Sequence, residues 1–111
     1  MAFSDAQQEA LAFRDERDWR QFHNPKDLAI SISLEAAELL ECFQWSGADL
    51  DPSESRERIR EELADVMMYC VYLADVEGID IPAALHDKIK RNAEHYPADK
   101  AAGSAKKYTE L

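Results

Sequence analysis

Apolar residues recur at helical spacing along most of the chain, and polar breaks divide it into four segments. The first runs from Ser4 to about Trp19, with Leu11 and Phe13 apolar and Gln8, Asp15, Glu16 and Arg17 on a solvated face; Ser4 followed by Gln7 predicts a capping box. The second opens with Asn24 as N-cap, Pro25 at the first helical position and Asp27 in the first turn, and runs to about Gly47. One of its faces carries Leu28, Ile32, Ala36, Leu39 and Phe43, and another Ile30, Leu34 and Ala37. A helix with two apolar faces is packed on more than one side. Its third face holds Ser31, Glu35, Glu38, Cys42 and Trp45.

A polar loop, SGADLDPSES, leads to a third helix predicted from about Pro52 or Ser53 to Glu77. Its first half is charged, with Glu54–Arg58 and Glu57–Arg60 as possible pairs, and its second half is apolar apart from Asp65. Ile59, Leu63, Val66, Cys70 and Leu73 form one apolar face; Arg58, Glu62, Asp65, Tyr69 and Tyr72 form the remaining line. A fourth helix is predicted after Gly78, capped by Asp80, with Pro82 in its first turn and Tyr96-Pro97 as its stop. Residues 97–111 lack periodicity and are expected to form an extended arm.

Three glycines, four prolines and no β-branched run leave little room for strands, so the pattern predicts an all-α chain. At 111 residues, 46% hydrophobic and 32% charged, it reads as one soluble globular domain over residues 1–111. The net charge is −10, yet Ala84 to Lys107 carries an excess of Lys and Arg. An acidic body argues against a nucleic-acid duplex as partner. Combined with a basic C-terminal segment, it suits a polyanionic small molecule held partly through cations. The N-terminus has neither a basic n-region nor an apolar h-region, and no apolar run approaches the about 20 residues of a membrane span. A cytoplasmic protein, with Cys42 and Cys70 as reduced thiols, is expected.

The candidate chemistry lies in two acidic pairs. Glu35 and Glu38 share a helix face about a turn apart, and neither has a Lys or Arg at i±3 or i±4. Glu62 and Asp65 repeat the arrangement, although Arg58 stands four residues before Glu62 and an ordinary ion pair is open there. Carboxylates at i, i+3 on adjacent helices converge on one point, and a hard divalent cation offsets their repulsion while leaving positions for phosphate oxygens. A dinuclear iron site wants Glu-x-x-His pairs, and none of His23, His86 or His95 follows a Glu at that spacing. The junction WRQFHNP concentrates Trp19, Phe22 and His23; these either plug the end of the core or form a stacking platform for a base.

These motifs resemble the MazG-like all-α nucleoside triphosphate pyrophosphohydrolases, and among them the small dCTP pyrophosphatases. The resemblance rests on FRDERDWRQFHNPKDL, EAAELLECFQW, EELADVMMY, KIKRNAEHYP and KYTEL, which together span nearly the whole chain. It implies a four-helix fold in which helices of two subunits form the core of a homodimer, or of a tetramer built from two dimers. It implies Mg²⁺-dependent cleavage, with Mn²⁺ as a substitute, of a (deoxy)nucleoside triphosphate such as dCTP or a modified pyrimidine analogue to the monophosphate and pyrophosphate. Matched residue by residue, Glu35, Glu38, Glu62 and Asp65 are metal ligands, with Glu38 the candidate general base. Trp19, Arg20, Gln21, Phe22, His23, Trp45, Tyr69, Lys88, Arg91 and Asn92 are candidate substrate contacts. A histidine that close relatives carry in the first helix matches Ala10 here, leaving base and sugar preference open. A dUTP-cleaving relative and a non-catalytic acidic helical interaction module are the alternatives.

Overall fold

A computed structural model describes residues 1–111 as helices joined by turns, without strands. The chain divides into two compact units, Met1–Gly78 and Ile79–Leu111.

In the first unit α1 spans Phe3–Glu16, α2 Pro25–Glu41 and α3 Arg56–Glu77. The expected capping box at Ser4 is not formed. Helix α1 starts one residue earlier on extended Ala2, whose carbonyl accepts from the amides of Asp5 and Ala6 at 3.1 and 3.2 Å, and no side chain caps it. It also stops short of Trp19, because Asp18 adopts φ +54°. A short polar side chain tolerates that left-handed conformation, and Gln21 Nε2 steadies it by donating to Asp18 O and Oδ2, both at 3.0 Å. A 3₁₀ turn, Arg20–Phe22, completes the junction.

The α2 start is as expected: Asn24 Oδ1 accepts from the Asp27 amide at 2.9 Å, and Pro25 occupies the first turn. Its end is not. After Glu41 the backbone tightens into i→i+3 bonds, Cys42 N to Leu39 O at 3.2 Å and Phe43 N to Leu40 O at 2.9 Å, so Trp45 leaves the helix instead of extending the carboxylate face. Helix α3 begins later than expected, after a 3₁₀ turn at Ser53–Ser55, and ends on Gly78 at φ +67°, the left-handed terminator that glycine adopts without strain.

Helix α3 packs against both α2 and α1. The buried core is Leu28, Cys42, Val71, Tyr72 and Ala74, with Tyr72 donating its hydroxyl to Ala10 O at 3.1 Å. On the first apolar face of α2, Leu28, Ile32, Leu39 and Phe43 are buried or half-buried, while Ala36 is exposed. The second apolar face, expected to be packed as well, is open: Ile30, Leu34 and Ala37 are exposed, as are Leu40 elsewhere on α2 and Leu63 and Met67 of α3. Both cysteines are unpaired.

In the second unit α4 spans Ile81–His95, with Asp80 Oδ1 accepting from the Ala83 amide at 3.0 Å as anticipated. The expected extended arm has local structure of its own. A one-turn α5, Ala98–Ala101, and a 3₁₀ turn, Tyr108–Glu110, bring Tyr108 against His95 and Tyr96, with ring centroids 4.3 and 5.9 Å apart.

Candidate metal and nucleotide site

Helical spacing alone aligns Glu35 with Glu38 on α2 and Glu62 with Asp65 on α3; the α2–α3 packing then brings the two pairs together. Each of the four offers an oxygen within 4.8 Å of the others. Glu35, Glu62 and Asp65 are half-buried and Glu38 is exposed. No cation from the chain closes the group. Arg58 turns its guanidinium to Glu41 Oε2 at 3.2 Å, in place of a plain ion pair with Glu62. Glu35 Oε2 and Glu62 Oε2 are buried acceptors without any partner. Such atoms cost free energy unless a donor or cation meets them.

The electrostatics agree with the geometry. Burial, then hydrogen bonding to Glu38, then the charges of Glu38, Asp65 and Glu62 push the Glu35 carboxyl up to about 7. Glu62 is raised for the same kind of reason: burial first, then Glu38 and Asp65, with Arg58 opposing. A cluster of hard anionic oxygens that resists its own ionisation fits a divalent cation of the Mg²⁺ or Ca²⁺ type.

Above the acidic group on α3, Tyr69 meets Tyr72 edge to face at 6.1 Å, and Tyr72 underlies His23 at 5.1 Å. His23 Nδ1 is buried without a partner. Burial, then the nearby Arg14 and Arg20 charges, lower the His23 pKa and favour the neutral imidazole. Trp19 packs edge-on against Phe13 at 5.6 Å with much of its ring exposed, and Phe22 is more exposed still. Neither Trp19 nor Phe22 plugs the core. About 10 Å of helix axis separates Asp65 from Tyr72, seven residues at 1.5 Å each.

Trp45 stands apart from this row. It is 88% exposed and borders a cavity of about 380 Å³ with Glu41, Cys42, Asp49 and Arg58. Lys88, Arg91 and Asn92 lie on α4, where Arg91 edges an open depression with Asp87, Lys90, Glu94 and His95.

The sequence pattern did not single out Arg14 and Asp75. Arg14 is the only buried charged residue, 3% exposed; it donates through Nη1 to Asp75 Oδ2 at 2.7 Å and through Nε to Asp15 Oδ1 at 2.9 Å. The available signal was a cation on the inward line of α1 and an aspartate ending the apolar half of α3.

The MazG-like family model matches residues 30–111. The dCTP pyrophosphatase 1 of Mus musculus is 41% identical over 104 residues, and that of Homo sapiens 44% over 105. Each alignment covers 89% of this chain and 61% of the relative, so the chain spans about three-fifths of the length of these curated relatives. Among solved structures, a pyrophosphatase from Archaeoglobus fulgidus DSM 4304 superposes with a TM-score of 0.70 at 39% identity, covering 85% of this chain and 91% of that one. With a family match across most of its length and a related structure of the same all-helical fold, the chain belongs to the MazG-like family.

Proposed function

We propose that this protein is a divalent-cation-dependent nucleoside triphosphate pyrophosphohydrolase, acting on dCTP or a modified pyrimidine deoxynucleotide in clearing the nucleotide pool. The observation that carries this reading is the four-carboxylate group with two buried, unpartnered oxygens. Glu35, Glu38, Glu62 and Asp65 would hold Mg²⁺, with Mn²⁺ as a substitute. When bound, the cation supplies positive charge and Lewis acidity at the phosphoryl oxygens.

The chain's own groups do the rest. Glu38, the exposed member of the four, accepts the proton of the water that attacks the α-phosphorus. The α–β anhydride bond breaks, the water oxygen remains on the nucleoside monophosphate, and pyrophosphate departs with the bonding pair. Trp19, Phe22, His23 and Tyr69 provide faces and edges for the base, with Arg20 and Gln21 on the same turn; about 10 Å from Asp65 to Tyr72 suits a base held away from the reacting phosphate. Trp45 offers a further stacking surface beside its cavity. We assign Lys88, Arg91 and Asn92 to the triphosphate as cationic and amide donors, and we read residues 1–111 as one functional domain because the family match runs through both units.

The open α2–α3 face supports self-association as a homodimer or a tetramer of two dimers. Exposed apolar side chains in this number, Ile30 and Leu34 one turn apart on α2 with Leu40 and Leu63 besides, are costly in an isolated chain. No helix is long and apolar enough to cross a membrane.

The test is pyrophosphate release across the four deoxynucleoside triphosphates and dUTP, in Mg²⁺ and in EDTA. Hydrolysis confined to Mg²⁺ and reduced by Glu38→Gln is expected. Turnover indifferent to EDTA refutes the cation's role, and no turnover with any nucleotide refutes the enzymatic reading.

A further inference from the structure

We propose that Asp75 is a positioning residue for the base platform, holding the Trp19–His23 turn in register with α3 through Arg14 and Arg20. The inference rests on the nucleotide-binding reading above and deepens it. The carboxylate serves two cations from different elements. Arg14 Nη1, on α1, donates to Asp75 Oδ2 at 2.7 Å, and Arg20 Nε, on the junction turn, stands 3.8 Å from the same oxygen.

Arg14 in turn organises the junction backbone. Its carbonyl accepts from the amides of Arg17 at 3.2 Å and Trp19 at 3.1 Å, across the left-handed Asp18. The guanidinium lies over the Tyr72 ring at 5.8 Å, while His23 packs on that ring at 5.1 Å. Tyr72 and Asp75, three residues apart on one face of α3, therefore grip the turn at two points. Tyr72 takes His23 by ring contact, and Asp75 takes Arg20 by charge. A buried guanidinium bound to two carboxylates has one low-energy placement. The backbone amide of Trp19, which carries the exposed indole, donates to the carbonyl of Arg14. Loss of the Asp75 charge frees the platform while leaving the acidic cluster, further along α3, with all its oxygens.

The experiment compares Asp75→Asn, Asp75→Glu, Arg20→Gln and the Asp75→Asn/Arg20→Gln double variant. Arg20 is mostly exposed, so Arg20→Gln perturbs the linkage without stranding the buried Arg14. Asp75→Asn is expected to raise KM for the best deoxynucleotide by about tenfold, with kcat changed less than about threefold. Arg20→Gln moves KM in the same direction, the double variant adds less than the product of the single effects, and Asp75→Glu restores part of the affinity. Mn²⁺ binding, measured in the absence of nucleotide, stays at the wild-type value.

A second readout needs no turnover. In a Trp45→Phe background Trp19 is the only tryptophan, and both Asp75→Asn and Arg20→Gln shift its emission to the red. Should the wild type hydrolyse nothing, the functional reading fails, and the emission still decides the positioning claim. Unchanged Trp19 emission overturns the proposal, as do equal losses in kcat and Mn²⁺ affinity or single-variant effects that multiply.

Discussion

Glu35→Gln separates the two properties that the carboxylate group joins, cation affinity and self-repulsion. Without a cation, four acidic side chains present oxygens within 4.8 Å of one another. At that separation two unit charges repel by about 1 kcal/mol in water and about 3 kcal/mol at an effective dielectric constant near 20. The group is half-buried to exposed, so solvent screening keeps the relief per neighbour near the lower figure. At pH 8, where Glu35 is mostly ionised, neutralising it is therefore expected to stabilise the cation-free chain by about 2 kcal/mol, a rise in Tm of roughly 8 °C at this chain length. The new amide also brings donors to neighbours that include the unpartnered Glu62 Oε2. In saturating Mg²⁺ the order inverts, because wild type gains the stability linked to cation binding and the variant, one anionic ligand short, loses most of it. Thermal melts of both proteins in EDTA and in Mg²⁺ read this crossover, and pyrophosphate release should fall by about 100-fold or more. A variant that melts below wild type in EDTA, or that keeps wild-type stabilisation by Mg²⁺, refutes the reasoning.

The same cluster sets a pH dependence. The folded-state pKa of Glu35 is raised from the ordinary 4.5 to about 7, so the protonated form is the one the fold favours; cation-free protein should lose stability as pH rises through that window, with Tm in EDTA higher at pH 5 than at pH 8. Mg²⁺ should oppose the trend, since it displaces that proton, and Glu35→Gln should flatten it in EDTA. Asn24→Ala removes the α2 N-cap and should lower stability by about 1 kcal/mol with kcat unchanged, as followed by urea unfolding and initial rates. Leu40→Lys alters a side chain that is 65% exposed in the single chain; monomer stability should stay within about 0.5 kcal/mol, while sedimentation should show a smaller species than wild type. An unaltered sedimentation profile removes that residue from any subunit contact.

What the amino-acid pattern reveals follows the range over which each interaction acts. The two acidic pairs were legible because i, i+3 spacing is a property of one helix, and the Asn24, Asp80 and Gly78 termini were legible because capping acts within a few residues. The end of α2 was not. Between Glu41 and Gly47 no glycine or proline breaks the pattern, and the switch to i→i+3 bonding shows only in the backbone, where it carries Trp45 off the carboxylate face. Arg14 and Asp75 lie 61 positions apart, so no periodicity within either helix pairs them. The apolar face through Ile30 and Leu34 shows a third kind of shortfall. Its hydrophobicity predicts burial, yet the single chain leaves it open, because a periodic pattern is silent about whose side chains would cover it. In this chain the carboxylates at Glu35 and Glu38 rise from a helix whose other faces are partly open, so anything that covers Leu34 also lies within a turn of those carboxylates along α2. A subunit contact over Leu34 would therefore be coupled to cation binding through one helix. Leu40→Lys is accordingly expected to weaken Mn²⁺ binding in step with the loss of the larger species; unchanged Mn²⁺ affinity in the smaller species refutes the coupling and leaves the four carboxylates held by α2–α3 packing alone.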